Sequence, residues 1–114
     1  MQILFDESVT WALRPLLIGE HEVATAKYLG WDSKSNGELL SLARSAFDVL
    51  ITADQSIPYQ QHITEVDVAI VVLAARRNSF EYLAPLVPQI LEALPNLKRG
   101  EIIRIEAGQN ETSP

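Results

Sequence analysis

At 114 residues, with 47% hydrophobic residues and a mean hydropathy of +0.07, the chain suits one domain with an apolar core of its own. The absence of cysteine excludes disulfides, thiolate catalysis and zinc–thiolate or iron–sulfur sites, and fits a reducing cytoplasm. Fifteen acids against nine bases, a formal charge of −6, exclude a broad basic stripe for nucleic acid or anionic lipid. Apolar runs such as Ala69 to Ala75 are too short to span a bilayer, and the chain starts on a strand-like run with no basic leader.

Ile3, Leu4 and Phe5 predict a buried strand that stops at Asp6-Glu7. Ser8 then reads as the N-cap of a helix carrying Val9, Leu13, Leu16 and Leu17 on one side, with Gly19 as its stop. A short strand over 21–25, a helical turn over 26–29 and a loop over 30–35 follow. Leu39, Leu40, Leu42, Ala43 and Ala46 repeat at helical spacing, which predicts a helix opened by Asn36-Gly37-Glu38 and running to Phe47. Asp48 leads into Val49-Leu50-Ile51-Thr52, a β-branched strand ending at Ala53-Asp54. After a polar loop holding Pro58 and Gln60-Gln61-His62, 68–73 reads as another buried strand, followed by Arg76-Arg77-Asn78.

Ser79 to Leu94 has helical periodicity, but Pro85 and Pro88 predict a break or restart near Pro85. Arg99-Gly100 turns the chain into a strand over 101–106, nearer a sheet edge, and a disordered tail is expected over 107–114. The order of elements predicts a single α/β domain over 1–106, layered on a mostly parallel sheet.

In such sheets the ligand crevice lies beyond the carboxyl ends of the strands. Asp6, Glu7 and Asp54 all fall there. If their strands are near neighbours, Asp6 and Asp54 converge, and an all-oxygen pair suits Mg²⁺ or Mn²⁺, which polarises a phosphodiester and activates water. The plainer role for Asp6 is a helix N-cap or turn, and for Asp54 a turn-starting Asp. Phosphoreceiver domains place acids similarly but need a hydroxyl after the fourth strand and a Lys after the fifth; Leu73-Ala74-Ala75 and Ile105-Glu106-Ala107 supply neither. Arg76, Arg77 and Lys34 are candidate contacts to an RNA backbone, and Tyr59 to His62, Gln60 included, to a base. Trp11 and Trp31 read as packing residues.

Three segments, Ile3 to Ser8, Asn36 to Ala43 and Asp48 to Asp54, carry a resemblance to small bacterial PIN-like domain proteins of unknown function, related to the PIN-domain ribonuclease toxins. The resemblance covers residues 2–106. It implies a three-layer α/β/α sandwich, an acidic Mg²⁺ or Mn²⁺ pocket that cleaves RNA, and often a role as the toxin of a toxin–antitoxin pair, commonly a homodimer. Asp6 matches the family's first metal-binding acid and Asp54 the acid of its Thr-x-Asp motif. The acid expected at the start of the middle helix is Asn36 here, with Glu38 two positions on, and the second acid after Asp54 is replaced by Ser56. Glu7, Asn36 and Glu38 are therefore expected to support the ion. The alternative is a degenerate PIN-like domain that binds protein or RNA without cleaving it.

Overall fold

The structure, a computed structural model, describes residues 1–19, 21–31, 34–55 and 68–106. The chain order begins with strand β1 (Gln2–Phe5), a 3₁₀ turn (Trp11–Leu13), helix α1 (Arg14–Leu17), β2 (Glu22–Thr25), α2 (Asn36–Ala46) and β3 (Val49–Thr52). It continues with β4 (Ala69–Ala74), α3 (Phe80–Leu83), a second 3₁₀ turn (Ala84–Leu86), α4 (Val87–Ala93), a third (Leu94–Asn96) and β5 (Ile102–Glu106). The five strands form one all-parallel sheet in the order β2-β1-β3-β4-β5. The sequence predicts each of these strands to within a residue, and β5 does lie at an edge.

Alternate strand residues feed two cores, as the two-residue period of a strand requires. Ile3, Phe5, Val49, Ile51, Val71 and Leu73 join Leu13 and Leu17 of the first helical segment and Leu83, Leu86 and Ile90 of the last. Leu4, Leu50, Ile70 and Val72 face the other way, onto Leu39, Leu40 and Ala43 of α2. The result is the three-layer α/β/α sandwich. Strands covered on both sides are largely apolar, which is why β3 up to Ile51 and β4 read as hydrophobic runs. α1 and the α3–α4 segment cover the same face, although β1→β2 and β4→β5 step toward opposite edges. The two crossovers therefore have opposite hands, and one departs from the usual right-handed rule.

Pro85 falls in the first turn of the second 3₁₀ segment and Pro88 in the first turn of α4, positions where a missing N–H breaks no intrahelical bond. The predicted break near Pro85 is present. The first helix differs from expectation. Ser8 does not cap it, because its N–H and hydroxyl turn back to Asp6; Thr10 caps the 3₁₀ turn instead, accepting from the Ala12 amide at 3.3 Å. Leu16 is 44% exposed, outside the core. α2 begins as predicted at Asn36, with Ser35 as its N-cap. The polar loop with Gln60 and the tail from 107 lie outside the described residues. Among the described residues, no helix is long and apolar enough to cross a membrane.

Candidate functional site

The chain leaves β1 for β2 on one side, and then crosses to β3 on the other, so the sheet's topological switch point lies between β1 and β3. Phe5 pairs in register with Ile51, one residue before Asp6 and one before Thr52. The Asp6 amide still bonds Ile51 O at 3.2 Å, and the Ala26 amide bonds Phe5 O at 2.8 Å. Asp6, one residue past β1, is thus tied by its amide to β3 and is 5% exposed, a carboxyl group buried at the mouth of the switch point.

Its side chain is tied on both oxygens. Oδ1 accepts the Ser8 amide at 3.0 Å and the Ser8 hydroxyl, and Oδ2 accepts the Thr52 hydroxyl. The Ser8 oxygen in turn accepts the Ala53 amide at 2.8 Å, and the Thr52 oxygen accepts the Asp54 amide at 3.0 Å. A hydroxyl can give one hydrogen while receiving another, which lets Ser8 and Thr52 stitch the two strand ends together. Desolvation pushes the Asp6 carboxyl above its ordinary pKa, the bonds from Ser8 and Thr52 pull it back in part, and the negative charge of Asp54 raises it further. The plainer turn role of Asp6 is real, since its carboxylate closes an Asx-type turn on Ser8. Its burial and its electrostatic coupling to Asp54 are not features of an ordinary surface turn.

Asp6, Glu7, Ser8, Ala26, Trp31, Lys34, Leu39 and Asp54 line a small cavity of about 70 Å³. Four predicted residues, Asp6, Asp54, Glu7 and Lys34, therefore share one cavity. Glu38 does not line it. It closes a capping box, accepting the Ser35 amide at 3.3 Å and the Ser35 hydroxyl at 3.0 Å, and these bonds first, with Lys34 nearby, hold its carboxyl below the ordinary range. Asn36 heads α2, its side chain outside the described residues, as are Ser56 and Gln60. Arg76 and Arg77 are exposed after β4, at the same end of the sheet but outside the cavity lining. Among the described residues, no group of three or more His, Cys, Asp or Glu side chains gathers to hold a metal ion.

One aromatic residue, Trp11, falls elsewhere than the sequence suggests. Trp31 packs as predicted, edge-on to Phe47 with ring centres 6.2 Å apart. Trp11 does not pack inside: it is 54% exposed, because the tight 3₁₀ turn directs Leu13 inward and leaves Trp11 outside, with the Arg14 guanidinium 5.1 Å from its ring centre. Tyr28, which no motif in the sequence singles out, is 82% exposed. Trp11 and Tyr28 border a groove of about 450 Å³ with Val9, Thr10, Thr25 and Lys27, and Asp6 and Glu7 also line it. The signal for it was weak: an aromatic residue at each of two turns, separated by a strand and brought together by the β1–β2 pairing.

Comparison of the chain with protein-family models, curated proteins and solved structures gives no match to any of the three.

Proposed function

We propose that the crevice hydrolyses RNA phosphodiesters with the help of a divalent cation, Mg²⁺ or Mn²⁺, held by Asp6 and Asp54. The observation that carries this reading is the buried Asp6 carboxylate at the switch point, electrostatically coupled to Asp54 across a shared cavity. The donor set fits such an ion. A carboxylate offers about four lone-pair positions, and three are taken by Ser8 and Thr52, which leaves capacity on Oδ2. All-oxygen donors suit hard cations that keep several of their waters. A cation there would neutralise the two acids, polarise a phosphodiester and lower the pKa of a bound water. Glu7 and Asn36 would support its shell, Lys34 would meet a phosphate at the cavity rim, and Arg76 and Arg77 would hold the flanking strand. Glu38 supports the site through the cap of α2 rather than as a ligand.

The resemblance to PIN-like proteins extends the proposal to a cytoplasmic toxin neutralised by an antitoxin protein and paired as a homodimer. A second reading, a degenerate domain that binds RNA or protein without cleaving, is favoured by one observation: three hydrogen bonds already engage both oxygens of the Asp6 carboxylate, a structural role without any ion.

Calorimetric titration with Mn²⁺ and Mg²⁺ separates the two. Binding that Asp6→Asn and Asp54→Asn each abolish supports the nuclease, and RNA cleavage should be lost with it. No binding to the intact chain, or binding that both variants retain, favours the non-catalytic module.

A further inference from the structure

The groove between Trp11 and Tyr28 lies beside the candidate ion site and shares the lining residues Asp6 and Glu7 with it. Its walls are mostly apolar, formed by Val9 and two aromatic side chains, and its volume of about 450 Å³ lies within the range of small-ligand sites. Large aromatic surface left open to water beside a polar site calls for an occupant, since isolated exposed aromatics are common but a walled pair is not. The polar groups on the walls narrow the choice. Thr10 and Thr25 each accept a backbone amide, from Ala12 at 3.3 Å and from Tyr28 at 3.1 Å, and among the described residues neither donates its own hydroxyl hydrogen. Lys27 adds a cation to the lining.

We propose that this groove is a subsite for an unpaired nucleobase of single-stranded RNA, stacked on Trp11 and Tyr28, with its phosphate toward Lys27 and the next phosphodiester toward Asp6. Flat π-faces accept any base, the threonine hydroxyls can donate to acceptor atoms on its edge, and the cation matches the charge of the backbone. Arg14, stacked on Trp11 and bonded through Nε to Val23 O at 2.8 Å, positions the indole. The same contact occupies a carbonyl of edge strand β2. A second copy or a peptide would match the apolar walls equally, but would leave unexplained a lysine and two donor hydroxyls in a lining that also holds two carboxylates. Because the subsite takes RNA to be what the crevice acts on, it rests on the function proposed above.

The test uses the full chain carrying Trp31→Phe, which keeps an aromatic ring against Phe47 and leaves Trp11 as the sole tryptophan of the chain's two. A short oligoadenylate is titrated in the presence of EDTA, so that neither ion binding nor cleavage is required, and tryptophan fluorescence and affinity are followed. Quenching of Trp11, with affinity at least about fivefold weaker in Tyr28→Ala and, by a label on the RNA, in Trp11→Ala, is the expected result. RNA binding that both substitutions leave unchanged overturns the subsite while sparing the nuclease, which the Mn²⁺ titration judges separately. No binding of single-stranded RNA overturns the proposal, as does a dimer, seen by sedimentation and lost in Tyr28→Ala, that blocks the groove to RNA.

Discussion

Thr52, the last residue of β3, donates its hydroxyl hydrogen to Asp6 Oδ2 while its oxygen accepts the Asp54 amide at 3.0 Å. One buried hydroxyl thus fixes both acids relative to each other. Thr52→Val keeps the shape and removes both bonds. It should destabilise the fold by about 1–3 kcal/mol, the usual effect of leaving a buried polar partner unsatisfied, whereas Thr52→Ser should recover most of the loss. Urea denaturation midpoints with unchanged slopes would measure both; a neutral Thr52→Val would contradict the role assigned to the hydroxyl.

The fold raises the pKa of the Asp6 carboxyl, with desolvation as the largest cause. A raised folded-state pKa means that the native protein binds the proton more tightly than the unfolded chain. The stability Asp6 confers is therefore fully present below the unfolded value, near 3.8, and is lost as pH rises through the folded value. Asp6→Asn carries no charge to desolvate. Its melting temperature should gain on that of the wild type as pH rises across this window, because only the wild type comes to hold a desolvated charge. Thermal melts of both proteins from about pH 3 to about pH 7 test the sign; a constant difference would refute it.

Lys34 lines the same cavity as Asp6, Glu7 and Asp54. If it meets an RNA phosphate, Lys34→Ala should weaken RNA binding and reduce the slope of log affinity against log salt by about one, with little dependence on sequence. Filter binding over a salt series measures this. An unchanged slope would place Lys34 outside the RNA path.

The capping box separates a structural acid from the candidate ligands. Ser35→Ala removes the hydroxyl that accepts the Glu38 amide at 3.3 Å and should lower stability by about 1 kcal/mol. Glu38→Gln can still accept from Ser35, so Mn²⁺ binding, where the intact chain shows it, should persist in that variant. Loss of the ion in Glu38→Gln would return Glu38 to the metal shell.

The layers were legible because each element announces itself locally. Ile3 to Phe5, Val49 to Ile51 and Val68 to Leu73 are continuous apolar runs, as two-sided burial demands, and Leu39, Leu40 and Ala43 keep the helical period against them. The stop at Asp6 and at Asp54 marked two strand ends. Other features stayed hidden because they depend on partners remote in sequence. Ser8 has the composition of an N-cap, but the carboxylate two residues earlier and the Ala53 amide compete for its hydroxyl and win. Trp11 reads as a packing residue of the first helix, but the 3₁₀ turn that starts there buries Leu13 and leaves Trp11 outside.

By itself the sequence determined an α/β domain with acids at the carboxyl ends of two strands, since hydrophobic period and charge placement are properties of short stretches. Strand order was decided only in three dimensions. Pairing β1 with both β2 and β3 makes the switch point, sets Asp6 beside Thr52 and Asp54, and draws the turns holding Trp11 and Tyr28 around one groove. The hand of each crossover was decided there too. These are long-range choices, set by how the layers bury their faces against one another, and no single segment carries them.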